Sequence, residues 1–157
     1  MTVEQTSADV AMWNQVLLLH TRIEQELTKA HRLHGLGLSE YRALSRLAVA
    51  EDGELRIQEL AGAIGLNQSS VSRLVVRLEE AGLTRRATCD KDRRGVYSVI
   101  TEPGRARLAV IESLHNEILS RALNLAATDP ALRDTVTALR DTRLGAPRDL
   151  VTDAADN

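Results

Sequence analysis

Residues 56–83 read RIQELAGAIGLNQSSVSRLVVRLEEAGL, and the reading of this run decides the fold. Its first part places Leu60, Ala61 and Ile64 at helical spacing and then meets Gly65. Glycine stops a helix because, without a Cβ, it enters the left-handed region at no steric cost. Asn67 follows as an N-cap, a short side chain whose carbonyl accepts from the orphan amides of a new helix. From Gln68 the apolar residues Val71, Leu74, Val75 and Leu78 mark one inward face until Gly82 ends the pattern. Two short helices joined by a tight glycine-containing turn form a helix-turn-helix, and small Ala61 lets them approach closely.

Upstream, residues 7–34 carry a helical stripe of Trp13, Val16, Ile23, Leu27 and Ala30, widened by Val10, Leu17 and Leu19, which ends at Gly35 and Gly37. This helix is longer than the usual length of about 11 or 12 residues, so it packs against more than its own domain. Ser39 reads as the cap of a second helix, with Glu40 favourably placed in its first turn and Tyr41, Leu44, Leu47 and Ala48 inward, closing at Glu51-Asp52-Gly53. Downstream, extended runs at 84–88 and 96–100 flank a charged tip and predict a β-hairpin. Thr101-Glu102-Pro103 opens a helix with Leu108, Ile111, Leu114, Ile118, Ala122 and Leu125 along one stripe. Asp129-Pro130 opens the last helix, through Leu132, Val136 and Leu139 to about residue 143, and the acidic stretch 146–157 reads as a flexible tail. The expected class is mainly α with a small β-hairpin.

A chain of 157 residues with 43% hydrophobic content suits one domain or two small ones sharing a core. With only Trp13, Tyr41 and Tyr97 as aromatic residues, that core is aliphatic and a stacking platform for single-stranded nucleic acid is excluded. The apolar runs fall far short of the roughly 20 residues needed to cross a bilayer. The polar, acidic N-terminus lacks the order of a secretory signal. A single cysteine, Cys89, forms neither an internal disulfide nor a thiolate cage, and the expected compartment is the cytoplasm. Net charge is −2, yet residues 1–55, 56–107 and 108–157 carry −3, +4 and −3. A basic centre between acidic ends fits a centre that meets a polyanion. Eighteen of the twenty basic residues are arginine, the type suited to bidentate contacts with phosphate and guanine.

The order helix, helix, helix-turn-helix, charged hairpin, long helix resembles the MarR family of bacterial transcriptional regulators. The residues that carry the resemblance are Glu59-Leu60-Ala61, the run from Val71-Ser72-Arg73-Leu74-Val75 through Arg77-Leu78-Glu79 to Gly82-Leu83, Asp92 with Arg94, and Thr101-Glu102 with Gly104. The likeness is strong over 38–108 and one of layout in the flanking helices. Ile100-Thr101 stands where the family usually has Leu-Thr. The resemblance implies a homodimer whose terminal helices, 1–37 and 102–145, interlock, with a winged helix-turn-helix at 38–101. It also implies double-stranded DNA as partner, read as an inverted-repeat operator by two recognition helices about 34 to 36 Å apart.

On the recognition helix the inward face leaves Gln68, Ser69, Ser70, Ser72, Arg73 and Arg77 outward. Gln68 and Arg73 have bidentate capacity for adenine and guanine edges, Arg77 for phosphate, and the serines reach bases or phosphates. Asn67 stands with this set, and Ser69 reads equally as a capping residue. In MarR-like wings the second Arg of the Asp-x-Arg mark enters the minor groove and the Asp orients it, which implies these roles for Arg94 and Asp92, with Lys91 and Arg93 at phosphates. Arg56 and Arg86 either hold a phosphate or pair with Glu79 or Glu80.

The resemblance further implies a small-molecule effector between the dimer body and the winged domain, for which Trp13, His20 and Tyr41 are the candidates, although Trp13 and Tyr41 also read as plain core. His31 and His34, one turn apart, bind zinc only with further ligands, which His20 or His115 join by folding or dimerisation; no cofactor or metal is assigned. Cys89 sits in the wing, away from the first helix where peroxide-sensing relatives carry their thiol. No phosphate loop, nucleophile elbow or catalytic cluster points to an enzyme. The reading is a DNA-binding repressor released by a ligand. The alternative is a helical protein-interaction module on a winged-helix scaffold, which needs an apolar outward face on the recognition helix.

Overall fold

The computed structural model describes residues 3–89 and 92–141. The element order is α1 (Val3–Leu33), α2 (Leu38–Val49), a 3-10 turn (Glu51–Gly53), β1 (Glu54–Arg56), α3 (Ile57–Ile64), α4 (Gln68–Glu80), β2 (Thr84–Cys89), β3 (Asp92–Ile100), α5 (Glu102–Ala126) and α6 (Pro130–Asp141). The residues fall into two compact units, Ile23–Ala122 and the described part of Met1–Arg22 with Leu123–Asn157.

The central unit holds the winged helix-turn-helix. Its core is aliphatic: Ala43, Leu44, Leu47, Leu60, Val71, Leu74 and Val75 are wholly buried, joined by Leu27, Leu36, Leu38, Tyr41, Ile100 and Ile111. The stop at Gly65 is realised at φ +71°, with the Leu66 amide donating to the Ala61 carbonyl at 3.0 Å. Asn67 caps α4 through its side-chain carbonyl, which accepts the Ser70 amide at 2.9 Å. At the other end of the motif Thr101 caps α5, its hydroxyl accepting from the Gly104 amide at 3.1 Å and donating to the Gly82 carbonyl at 2.6 Å.

Three expectations change. The wing is a three-stranded antiparallel sheet in the order β1-β3-β2, not a two-stranded hairpin. The added strand pairs Glu54, Leu55 and Arg56 with Val99, Ser98 and Tyr97. Three residues are too few to show alternation, and their hydrogen-bonding partner lies far along the chain. The α2 cap is Gly37, not Ser39: the Glu40 carboxylate accepts the Gly37 amide at 2.8 Å and the Tyr41 amide reaches the Gly37 carbonyl at 2.9 Å, which puts Glu40 at the third helical position. Trp13 is not core within the chain. It is 58% exposed, whereas Tyr41 is buried as expected.

The terminal unit buries Leu19, Ala126, Leu132 and Val136, and Arg22 bridges Asp129 at 2.9 Å. It also exposes Val10, Met12, Trp13, Leu17, Leu18, Leu125 and Leu139, apolar area that the helices' own packing does not cover. Among the described residues no helix is long and apolar enough to cross a membrane. The tail and the end of the last predicted helix lie outside the described residues.

Candidate nucleic-acid interface

The recognition helix α4 is held by its inner face. Val71, Leu74, Val75 and Leu78 are each at most 1% exposed, so rotation about the helix axis is fixed by packing. Gln68, Ser69, Arg73 and Arg77 consequently point to solvent, with Ser70 and Ser72 half-buried. The outward set is as expected apart from that burial. The hydroxyls, however, have local duties: Ser69 donates to the Asn67 side chain at 3.0 Å and Ser72 to the Gln68 carbonyl at 2.8 Å. Asn67 is likewise committed to its cap. The side chains of Gln68 and Arg73 make no hydrogen bond or ion pair among the described residues. They are the polar side chains on this face with their bonding capacity open to a partner.

Arg56 and Arg86 converge on one groove. Its volume is about 370 Å³ and it is lined by Arg56, Ile57 and Gln58 at the start of α3, Gln68 and Ser72 on α4, Arg86 on β2, and Gly95 and Val96 on β3. A groove walled by a recognition helix on one side and a wing on the other, with two guanidinium groups in its lining, has the chemistry of an anion site. Arg86 takes one of its two expected partners, donating from Nε to Glu79 at 2.8 and 3.2 Å. Arg56 pairs with neither Glu79 nor Glu80 in its Nε bond. That nitrogen donates to the Tyr97 hydroxyl at 2.9 Å, and the guanidinium carbon lies 5.6 Å from the Tyr97 ring centre. Arg77 donates from Nε to Glu40 at 3.2 Å. Sequence reasoning missed Tyr97 and Glu40, whose partners become neighbours only through the β1–β3 pairing and the approach of α2 to α4.

The wing residues divide. Lys91 lies outside the described residues. Asp92, Arg93 and Arg94 open strand β3, and their side chains, with that of Cys89, also lie outside them.

The effector candidates do not share one compact unit. Trp13 and His20 belong to the terminal unit, and Tyr41 to the central one, where it stacks on His115 at 4.2 Å between ring centres. The zinc candidates separate as well: His34 is exposed, while buried His31 pairs with His115 at 2.9 Å between Nε2 and Nδ1. No group of three or more metal-ligating side chains exists among the described residues. The tautomers follow from elimination. The Leu36 carbonyl, 3.2 Å from His31 Nδ1, only accepts, so His31 carries its proton on Nδ1 and accepts at Nε2, and His115 must donate from Nδ1. Burial, then the nearby His31 and Arg42, pushes His115 down to about 4, against the opposing pull of Glu24. Burial also lowers His31, partly offset by its bond to Leu36. The pair is therefore neutral at neutral pH.

The family model described as MarR family matches residues 34–95, which covers α2 through the start of β3. Among solved structures, the chain is similar to AbsC, a MarR family transcriptional regulator from Streptomyces coelicolor, at 28% identity and a TM-score of 0.66 over 90% of this chain and 97% of that one. Sco3205 from the same organism, a MarR family transcriptional regulator whose structure is in complex with DNA, matches at 24% identity and a TM-score of 0.63 over 90% and 86%. Wild-type MarR from E. coli in its apo form shares the fold at 16% identity and a TM-score of 0.67 over 83% and 94%.

Proposed function

We propose, for a chain that belongs to the MarR family of transcriptional regulators, that it is a homodimeric repressor of the cytoplasm, binds an inverted-repeat operator in double-stranded DNA, and is released by a small-molecule effector. The observation that carries the DNA reading is the outer face of α4. Its inner face is locked into the core while Gln68 and Arg73, the two side chains suited to base edges, stand outward beside a groove that Arg56 and Arg86 line. Each recognition helix enters a major groove, with Ser69, Ser70 and Ser72 close to the backbone, Asn67 holding the helix start, and Arg77 at phosphate. The wing follows the adjacent minor groove, where Arg94 is inserted, Asp92 orients it, and Lys91 and Arg93 meet phosphates.

The dimer reading rests on the terminal unit. Helices 1–37 and 102–145 form the proposed dimer body, and the exposed Val10, Trp13, Leu17, Leu125 and Leu139 are the apolar area that a second copy covers. Trp13, His20 and Tyr41 are the proposed effector contacts. The competing reading, a protein-interaction module, lacks its required surface: Val76, 39% exposed, is the large apolar residue on the outward side of α4.

The test is a binding titration against an operator duplex that the protein itself selects from a random-sequence pool. Counterion release predicts a steep fall of affinity with salt. Arg73→Ala and Arg94→Ala should each cost about 1–3 kcal/mol, with Arg73→Ala also relaxing preference at the base it reads. A selection that returns no common sequence, or a salt-independent affinity, sinks the reading.

A further inference from the structure

Val76 breaks the polar character of the outward side of α4. It is 39% exposed, the large apolar side chain that this helix leaves in solvent, while Gln68, Ser69, Arg73 and Arg77 on the same side are polar. Valine gains little there from packing, and as a β-branched residue it is a poorer helix former than the lysine, glutamate or arginine that suit a solvated face. Its place on the helix is specific. A recognition helix reads base edges from residues at i, i+3, i+4 and i+7, which lie on one outward stripe. On α4, whose rotation is fixed by buried Val71, Leu74, Val75 and Leu78, that stripe is Ser69, Ser72, Arg73 and Val76. The two serine hydroxyls donate to the Asn67 side chain and the Gln68 carbonyl, which leaves Arg73 and Val76 to face a partner.

Resting on the DNA-binding reading above, we infer that Val76 is a specificity-determining residue that reads the C5 methyl group of a thymine. This methyl is the apolar group that double-stranded DNA presents among the base edges of its major groove. Arg73, three residues earlier, suits the O6 and N7 atoms of guanine. Three residues of helix advance about 4.5 Å and one base step about 3.4 Å, so the two side chains address neighbouring positions and the thymine lies within two steps of the guanine. A protein partner fits the valine less well. An apolar docking face needs a contiguous patch, and here a single valine stands between Arg73 and Arg77. Contact with a methyl removes water from two apolar surfaces and involves no charge, so it adds sequence preference without adding to counterion release.

The experiment uses the full chain and the duplex that it selects from a random-sequence pool. Each thymine of that duplex is replaced in turn by deoxyuracil, which keeps every hydrogen-bonding group of the base and removes only the methyl. One replacement, within two steps of the guanine whose preference Arg73→Ala relaxes, should weaken wild-type binding about twofold to fivefold, the scale of one methyl withdrawn from an apolar contact. Val76→Ser is the matching change in the protein. Serine is close to valine in helix propensity and the position is exposed, so the fold is kept. This variant should bind the thymine duplex about twofold to fivefold more weakly than wild type, bind the thymine and deoxyuracil duplexes alike, and keep the wild-type salt slope. The lost sensitivity separates reading from folding, because a merely destabilised helix would weaken both duplexes and still discriminate between them. If the wild-type chain selects no common sequence, the DNA-binding reading falls and this inference with it. If it selects one, three results overturn the inference alone: no deoxyuracil replacement weakens wild-type binding, Val76→Ser stays as sensitive to the replacement as wild type, or Val76→Ser binds the thymine duplex as tightly as wild type.

Discussion

Gly104→Ala should destabilise the winged unit by about 1–3 kcal/mol, the typical range for forcing atoms into a well-packed contact. A Cβ at this position would lie 2.1 Å from the Leu83 carbonyl oxygen and 2.9 Å from Ile100 Cγ1. The carbonyl cannot retreat easily, because it accepts the Thr101 amide at 3.1 Å and the next turn is tied by the Thr101 hydroxyl to Gly82. The gain that alanine normally brings to a helix, at most about 1 kcal/mol, does not offset a contact this short with a backbone carbonyl. Gly62→Ala is the control, since a Cβ there meets nothing within 4 Å and should stabilise α3 by a few tenths to about 1 kcal/mol. Denaturant midpoints of the two variants check the pair, and a Gly104→Ala midpoint equal to wild type refutes the steric account. The same contact explains why Thr101 and Gly104 occur together: one caps α5, the other lets its first turn lie against the end of the α4–β2 connection.

Acidification is the second large effect. The folded chain holds His115 at about 4 against 6.5 for a free histidine, so between those values the unfolded chain binds a proton that the folded chain refuses. Stability from the neutral pair is therefore complete above pH 6.5 and is lost as pH falls toward 4. At about 1.36 kcal/mol per pH unit the shift caps this loss near 3 kcal/mol, and solvent around the half-buried ring reduces it to about 1–2 kcal/mol. The urea midpoint should drop from pH 7 to pH 5, ahead of most carboxylate titration. His115→Asn keeps an amide donor for His31 Nε2 and removes the titration, so its profile over this window should be flatter than wild type. Equal slopes in the two proteins would show that His115 contributes nothing to the pH dependence.

Much of the fold was legible because it rests on local rules. Val71, Leu74, Val75 and Leu78 recur at helical period and are buried together; Gly65 and Asn67 end one helix and start the next through contacts within a few residues. Two local readings still moved. Ser39 looked like a cap, but the Glu40 carboxylate reaches back three residues to Gly37 and sets the helix start there. Trp13 looked like core, yet a helical stripe says only that a face is apolar and not what covers it.

The candidate site was legible as a list of side chains and not as an arrangement. Gln68, Arg73 and Arg77 follow from the helix period alone, since fixing the inner face fixes the outer one. That Arg56 meets Tyr97, 41 positions away, and Arg77 meets Glu40, 37 away, depends on a three-residue strand and a helix approach that leave no periodic trace.

By itself, then, the order of residues determined the helices, their stops, the turn of the motif and the placement of positive charge in the middle third, because each depends on neighbours three or four positions apart or on simple counting. Only the tertiary structure decided which acceptors hold Arg77 and Arg86, that β1 completes the sheet, and that buried His31 meets half-buried His115 across 84 residues to form a neutral pair. Those outcomes depend on distances between segments remote in the chain, which packing sets and local pattern does not encode.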